Sequence, residues 1–217
     1  MGELLLVRHG ETEWSLTHRH TSLTDLPLTA HGEEQARRVA PLLAERPIGR
    51  ILVSPARRAL RTAELAGLEG WETVPGLHEW DYGAYEGITT AEIHRTRPAW
   101  DLWTDGTPPG GDGQRGESPE QVAARADRVL EYVEPLLNDP DAADVVLVAH
   151  GHFLRVLAAR RLGLPAAAGA LFVLDTAALA RIGTEHGRPA ITAWNVTVPG
   201  PARTPAAERP APVAAVS

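Results

Sequence analysis

The sequence predicts an α/β fold, a three-layer sandwich with a mostly parallel central sheet and helices on both faces. Three observations carry that expectation. Leu4-Leu5-Leu6-Val7 is an unbroken aliphatic run, and Val145-Val146-Leu147-Val148-Ala149 is another. Such runs read as strands buried on both faces, the pattern of parallel sheets. Amphipathic segments with helix-start signals lie between the strand-like runs, as in alternating βα chains. Both long runs also stop at a His-Gly pair, Arg8-His9-Gly10 and His150-Gly151. Arginine and histidine are poor choices for a dry core, so the chain should surface there. In open α/β sheets, ligands bind just past the carboxyl ends of strands. If the two strands are parallel neighbours, both histidines emerge at one edge of the sheet.

The elements follow in order. Residues 15–29 are polar and turn-rich, and long loops of this kind tend to be functional. A helix is expected from Thr29, its N-cap, through Arg46, with Ala36, Val39, Ala40 and Leu43 as its apolar stripe and Pro41 interrupting it. Ile51-Leu52-Val53 is a short buried strand. Ser54-Pro55 should open the next helix as N-cap and first residue; Ala59, Ala63 and Ala66 face inward, and Gly67 ends it. Arg57, Arg58 and Arg61 crowd its positive end, which costs stability unless an anion or acid answers them. One of the three is expected to point at the strand-end site and two to be solvated. A short strand lies within 71–77. Residues 77–87 then mix aromatics, carboxylates and glycines without any period, a site-like composition.

Thr89 and Glu92 make a capping box opening a short helix before Pro98. Trp100 and Trp103 should pack it down, and residues 106–116 should be mobile. Ser118-Pro119-Glu120-Gln121 opens the longest helix, with Val122, Ala126, Val129, Leu130, Val133 and Leu137 as its stripe. A helix is expected over 152–162, closed by Gly163 and Pro165. Final strands are expected at 171–174, 178–182 and 191–194, with turns at Asp175-Thr176 and His186-Gly187.

Composition bounds the function. The chain has 217 residues, 43% of them hydrophobic, which fits one globular domain over 1–198. A Pro/Ala-rich tail over 199–217 is expected to be disordered. No apolar run reaches membrane-spanning length and no signal-like leader is visible, so a cytoplasmic location without a membrane partner is expected. The chain has no cysteine, which excludes a thiolate nucleophile and a zinc–cysteine site. The formal net charge of −7 argues against nucleic acid as a partner. All 21 basic residues are arginine. Without lysine there is no Schiff base and no P-loop, whereas arginine suits bidentate recognition of phosphate.

Arg8, His9, Arg58, Glu79 and His150 make a coherent chemical set. Two arginines and a histidine form a cationic pocket for a phosphoryl group. The second histidine attacks phosphorus, and a carboxyl group protonates the departing oxygen. No metal or other cofactor is required. Neighbouring arginines favour the neutral, nucleophilic imidazole. The rival is a metal site from His150 and His152 with His9 and Asp81 added. The tryptophans read as packing, and His18, His31, His78, His94 and His186 as surface residues. His20 stands apart because it adjoins the 15–29 loop.

The motifs also carry a resemblance. Arg8-His9-Gly10-Glu11-Thr12, the Ser54–Ala63 segment around Arg58, the Leu77–Gly87 segment around Glu79 and Val148-Ala149-His150-Gly151 resemble, in order, the motifs of the histidine phosphatase superfamily, the phosphoglycerate-mutase-like fold. The resemblance implies His9 as phosphoryl acceptor, Glu79 as proton donor, and Arg8, Arg58 and His150 as phosphate holders. It also implies Ser15, Thr21, Ser22, Tyr82, Gly151 and His152 on the substrate side. Ser15 stands where mutases of the family usually carry asparagine. The basic insertion that helps mutases retain a bisphosphorylated intermediate is short here, with Arg95, Arg97 and Arg115 as its only arginines. The segments 20–29 and 79–87 are similar to the acid phosphatase and sugar-bisphosphatase branch. A phosphatase of small phosphorylated metabolites is therefore expected. Mutase-type phosphoryl transfer and a non-catalytic phosphate-binding protein are the alternatives, and a homodimer is allowed.

Overall fold

The computed structural model describes residues 2–111, 113–139 and 142–200. Six strands form one sheet: β1 (Leu4–Arg8), β2 (Ile48–Val53), β3 (Glu72–Thr73), β4 (Asp144–Ala149), β5 (Leu179–Glu185) and β6 (Arg188–Val196), in the order β3-β2-β4-β1-β5-β6. β1 and β4 are parallel neighbours, with Leu4 opposite Val145 and Arg8 opposite Ala149. β2 runs parallel to β4 on its far side, and β3 parallel to β2. β5 and β6 form an antiparallel hairpin on the β1 edge. The sheet is thus mixed, with a parallel core. The hairpin turn has φ of 48° at His186 and 76° at Gly187, the positive values a two-residue turn between twisted strands requires.

The helices are α1 (Glu13–Leu16), α2 (Ala30–Arg37), α3 (Ala40–Leu43), α4 (Arg57–Leu65), α5 (Thr90–His94), α6 (Leu102–Asp105), α7 (Pro119–Asn138) and α8 (Gly151–Arg161). They divide between two layers because strand side chains alternate. Leu4, Leu6, Val145, Leu147 and Ala149 point to the face covered by α7 and α8. Leu5, Val7, Val146 and Val148 point to the face covered by α2, α3 and α4. Burial on both faces is why these strands read as continuous aliphatic runs. The stripe of α7 is buried at the six expected positions, and Arg125 joins it.

Four expectations change. The helix expected over 29–46 is two, because α2 ends before Val39 and Pro41 starts α3 near its N-terminus. Ser54 does not cap α4: the N-cap is Ala56, without a side-chain bond, and Ser54 is drawn toward His150 instead. Residues 171–174 are not a strand. A 3₁₀ turn over Ala166–Leu171 runs into irregular backbone, and the edge beside β1 is filled by β5. Both ends of the stretch expected to be mobile are held: Pro108 accepts the Ala84 amide at 3.0 Å and Asp81 accepts the Arg115 amide at 3.0 Å. The expected tail lies outside the described residues beyond Gly200. Among the described residues, no helix is long and apolar enough to cross a membrane.

Candidate active site

The parallel pairing of β1 and β4 places His9 and His150 one residue past paired strand ends, with ring centroids 5.2 Å apart. Gly10 makes the turn possible. A Cβ there would overlap the Gly32 carbonyl of α2, and the Gly10 amide donates to Thr62 Oγ1 of α4 at 3.0 Å. The Arg-His-Gly turn is therefore wedged between two helices.

That turn also sets the state of His9. Its Nδ1 lies 2.7 Å from the Gly10 carbonyl oxygen. A carbonyl only accepts, so Nδ1 carries the proton and Nε2 keeps its lone pair. Burial, then Arg58, then Arg8 push the His9 pKa well below 6.5. The imidazole is neutral at working pH. Arg8 donates from Nη1 to the Leu174 carbonyl at 2.6 Å. Its Nε is buried with no partner among the described residues. Its guanidinium lies over Gly151, where a Cβ would sit 3.2 Å from Cζ, a tight contact that any side chain there would force on the arginine.

Arg58 is fully buried. Its Nε donates to His150 Nδ1 at 3.3 Å, and its Nη atoms donate to the carbonyls of Thr24 at 3.1 Å and Ser22 at 3.1 Å. Ser54 Oγ meets His150 Nε2 at 2.7 Å. The start of α4 is answered by Asp25, whose carboxylate accepts the Arg57 amide at 2.9 Å, an N-terminal cap delivered from a distant loop. Arg61 pairs with Glu33 and Glu64. Of the three arginines, one points at the site, one is paired and Arg57 is exposed.

Glu79 sits at the start of α8. Its Oε1 accepts the amides of Trp80 and Phe153, both at 2.8 Å, and its Oε2 accepts the His152 amide at 3.1 Å. The helix N-terminus holds the carboxyl group in place. Arg125 fixes the loop from behind, donating to the carbonyls of His78 at 2.6 Å and Glu79 at 3.2 Å. It pairs with Glu117 at 2.7 Å and lies 4.5 Å over the Phe153 ring.

A cavity of about 280 Å³ opens in front of His9, sized for a small metabolite. Of the expected residues, Arg8, His9, Ser15, Thr21, Glu79, Tyr82, Gly151 and His152 line it. Arg58 and His150 stand behind His9, wholly buried, rather than on the open wall. Ser22 does not line it: its amide donates to the Glu86 carboxylate at 2.9 Å, and its hydroxyl is buried with no hydrogen-bond partner among the described residues. Tyr82 Oη and His152 Nδ1 share a hydrogen bond at 2.5 Å. His20 stacks 4.6 Å from Tyr82, and burial lowers its pKa to about 4.

Thr12, His18, Arg19, Thr90 and Arg155 also line the cavity and were not expected there. Arg155 alone had a signal, lying one helical turn beyond Gly151 on the same face. The rival metal set is not assembled: His150 and His152 are engaged by different partners. Among the described residues, no three His, Asp or Glu side chains are grouped to hold a metal.

Comparison with known proteins agrees with this geometry. The model of the histidine phosphatase superfamily (branch 1) matches residues 4–197. An acid phosphatase of Mycobacterium tuberculosis is 44% identical over 186 residues, covering 85% of this chain and 87% of its own. The sedoheptulose 1,7-bisphosphatase of Saccharomyces cerevisiae is 34% identical over 188 residues, covering 74% of this chain and 67% of its own. The solved structure of an open reading frame product of Mycobacterium tuberculosis aligns with a TM-score of 0.81 at 42% identity, covering 90% of this chain and 98% of its own.

Proposed function

Because this chain belongs to the histidine phosphatase superfamily, branch 1, we propose that it hydrolyses small phosphomonoesters through a phosphohistidine on His9. One observation carries the reading. The His9 Nδ1 proton is held by the Gly10 carbonyl, so a neutral Nε2 stands at a cavity that Arg8 and Glu79 also line. Nε2 attacks phosphorus and the ester P–O bond breaks. Arg8, with its unpartnered Nε, stabilises the charge on the equatorial oxygens. Glu79 gives its proton to the leaving oxygen. Oε1 already accepts two amides, so Oε2 is the atom placed to carry that proton. Water then attacks phosphorus while Glu79 takes its proton, the P–N bond breaks with its electron pair returning to His9 Nε2, and inorganic phosphate leaves.

Arg58 supplies positive charge behind His9, and His150, kept neutral by burial, accepts the Arg58 Nε–H there. Arg58 also ties the 21–24 loop to the site through three carbonyls. The absence of cysteine suits the cytoplasm, where phosphorylated metabolites are made, and the reading needs no cofactor, nucleic acid or membrane.

The test is p-nitrophenyl phosphate hydrolysis in EDTA, for wild type and His9→Ala, with denaturing quench of labelled protein. Wild type should turn over and yield an acid-labile, alkali-stable phosphoprotein. His9→Ala should lose at least a thousandfold in kcat and give no labelled protein. Turnover that survives in His9→Ala sinks the assignment.

A further inference from the structure

Glu86 has no part in the chemistry above, yet its carboxylate reaches from the end of the acid loop into the 21–24 loop. Oε1 accepts the amides of Ser22 at 2.9 Å and Thr24 at 3.1 Å, and Oε2 also meets the Ser22 amide, at 3.0 Å. Among the described residues, every hydrogen bond to this carboxylate comes from those two amides. The other side of the same loop belongs to Arg58. Its Nη atoms donate to the carbonyls of Thr21 at 3.4 Å, Ser22 at 3.1 Å and Thr24 at 3.1 Å. With Nε on His150 Nδ1, all three guanidinium nitrogens are engaged. A half-buried carboxylate and a fully buried guanidinium thus grip one short loop from opposite sides, each through charge-assisted bonds.

One peptide unit joins the two charges. In a planar trans peptide the C=O and the N–H point in opposite directions. The Thr21–Ser22 unit therefore sets its carbonyl on Arg58 and its amide on Glu86 at once. Turning that plane over would aim a carbonyl at a carboxylate and an N–H at a guanidinium. The two charges also attract one another across the loop. The flanks of the loop are fixed without Glu86. His20 exchanges backbone bonds with Gly87 and Ile88 at 2.9 and 3.0 Å, and Asp25 accepts the Arg57 amide at 2.9 Å. Glu86 therefore sets peptide orientation between two anchors, and the fold does not depend on it. What it orients reaches the site twice, because Arg58 stands behind His9 and Thr21 lines the cavity.

We propose that Glu86 is a positioning residue: through the Thr21–Ser22 peptide it holds the 21–24 loop, and with it the Arg58 guanidinium, in the arrangement the phosphoryl pocket needs. The proposal rests on the phosphatase reading and adds a residue to it that touches neither substrate nor His9.

Orthovanadate, which can fill a phosphoryl site without turnover, is the probe, with its Kd measured by calorimetry. The sign of the effect separates positioning from bare charge. A carboxylate near an anion site repels the anion, so on charge alone Glu86→Gln should tighten vanadate. Positioning predicts the reverse. Glutamine keeps the size but sets an NH2 donor against an amide donor, so Kd should rise about tenfold. Glu86→Asp keeps the charge at a shorter reach, and its Kd should rise about threefold. In an Arg58→Lys background Glu86→Gln should add less than about twofold, because the two act through one loop. The accompanying loss in kcat/KM should be equal for p-nitrophenyl and alkyl phosphates, since protonation of the leaving group is untouched. Unchanged or tighter vanadate in Glu86→Gln overturns the proposal, as does a full tenfold loss in the Arg58→Lys background. If Glu86→Gln does not fold, Glu86→Asp decides, and an unmoved Kd there counts against Glu86. A wild type that binds vanadate but hydrolyses no phosphomonoester sinks the phosphatase reading alone, and the Kd ratio still judges Glu86. A wild type that does not bind vanadate overturns both.

Discussion

The protonation state of single side chains decides what this site can do. In the proposed reaction His9 serves as nucleophile because a carbonyl accepts its Nδ1–H and burial, with two arginines, disfavours a second proton. Glu79 is placed by three backbone amides rather than by another side chain, so its position survives substitutions around the cavity. Its proposed role as proton donor is separable from placement. Glu79→Gln should slow alkyl phosphates about a hundredfold, because an alkoxide leaves poorly without a proton. It should slow p-nitrophenyl phosphate less than about tenfold, because that leaving group needs little help. Parallel kinetics on the two ester types would show it; equal losses would remove Glu79 as the acid.

Between elements, buried arginines do the joining. Arg58 ties α4 to the 21–24 loop and to His150, and Arg125 ties α7 to the acid loop. Both are long-range contacts invisible to local periodicity, although Arg125 falls on the inner stripe of a helix whose period is plain. Removing Arg125 strands the Glu117 carboxylate and frees the carbonyls of Gly76, His78 and Glu79. Arg125→Met should therefore cost about 3 kcal/mol in urea unfolding, and should lower kcat by loosening the backbone that carries Glu79. A stability change below about 1 kcal/mol would show that Glu117 finds solvent and the clamp is dispensable. Ser54 is the opposite lesson. Its Ser-Pro spacing is that of a helix start, but the hydroxyl is better placed on His150, and Asp25 from a distant loop supplies the cap.

The molecule as a whole keeps several imidazoles neutral in its interior, which makes its stability depend on pH. Burial lowers the pKa of His9, His150 and His152 well below 6.5 and that of His20 to about 4. Below pH 6.5 the unfolded chain binds protons that the folded chain refuses, so stability rises with pH in that window and falls on acidification. His20 alone contributes about 3 kcal/mol that is present above pH 6.5 and lost as the pH drops toward 4. Melting temperature measured from pH 7 to pH 4 should fall steadily, and His20→Gln should flatten the curve. A level profile would mean these rings are not held neutral. The same shifts put the acid limb of kcat/KM below pH 6.5, since His9 stays nucleophilic where a free histidine would be charged.

The sequence by itself determined most strands, most helices and which polar residues stand at the strand ends. Aliphatic runs mark double-sided burial, capping residues mark helix starts, and a strand end is where a polar triplet such as Arg8-His9-Gly10 must surface. These are local signals with a fixed period or position. Tertiary structure alone decided that β1 and β4 are neighbours in matched register, that Arg58 and His150 stand behind His9, and that Ser22 does not line the cavity. It also decided that β5, rather than residues 171–174, fills the edge beside β1, and that Arg155 reaches the substrate side. The physical reason is common to all of them. Which buried donor meets which acceptor depends on how distant segments share one dielectric interior, and spacing along the chain does not encode that choice.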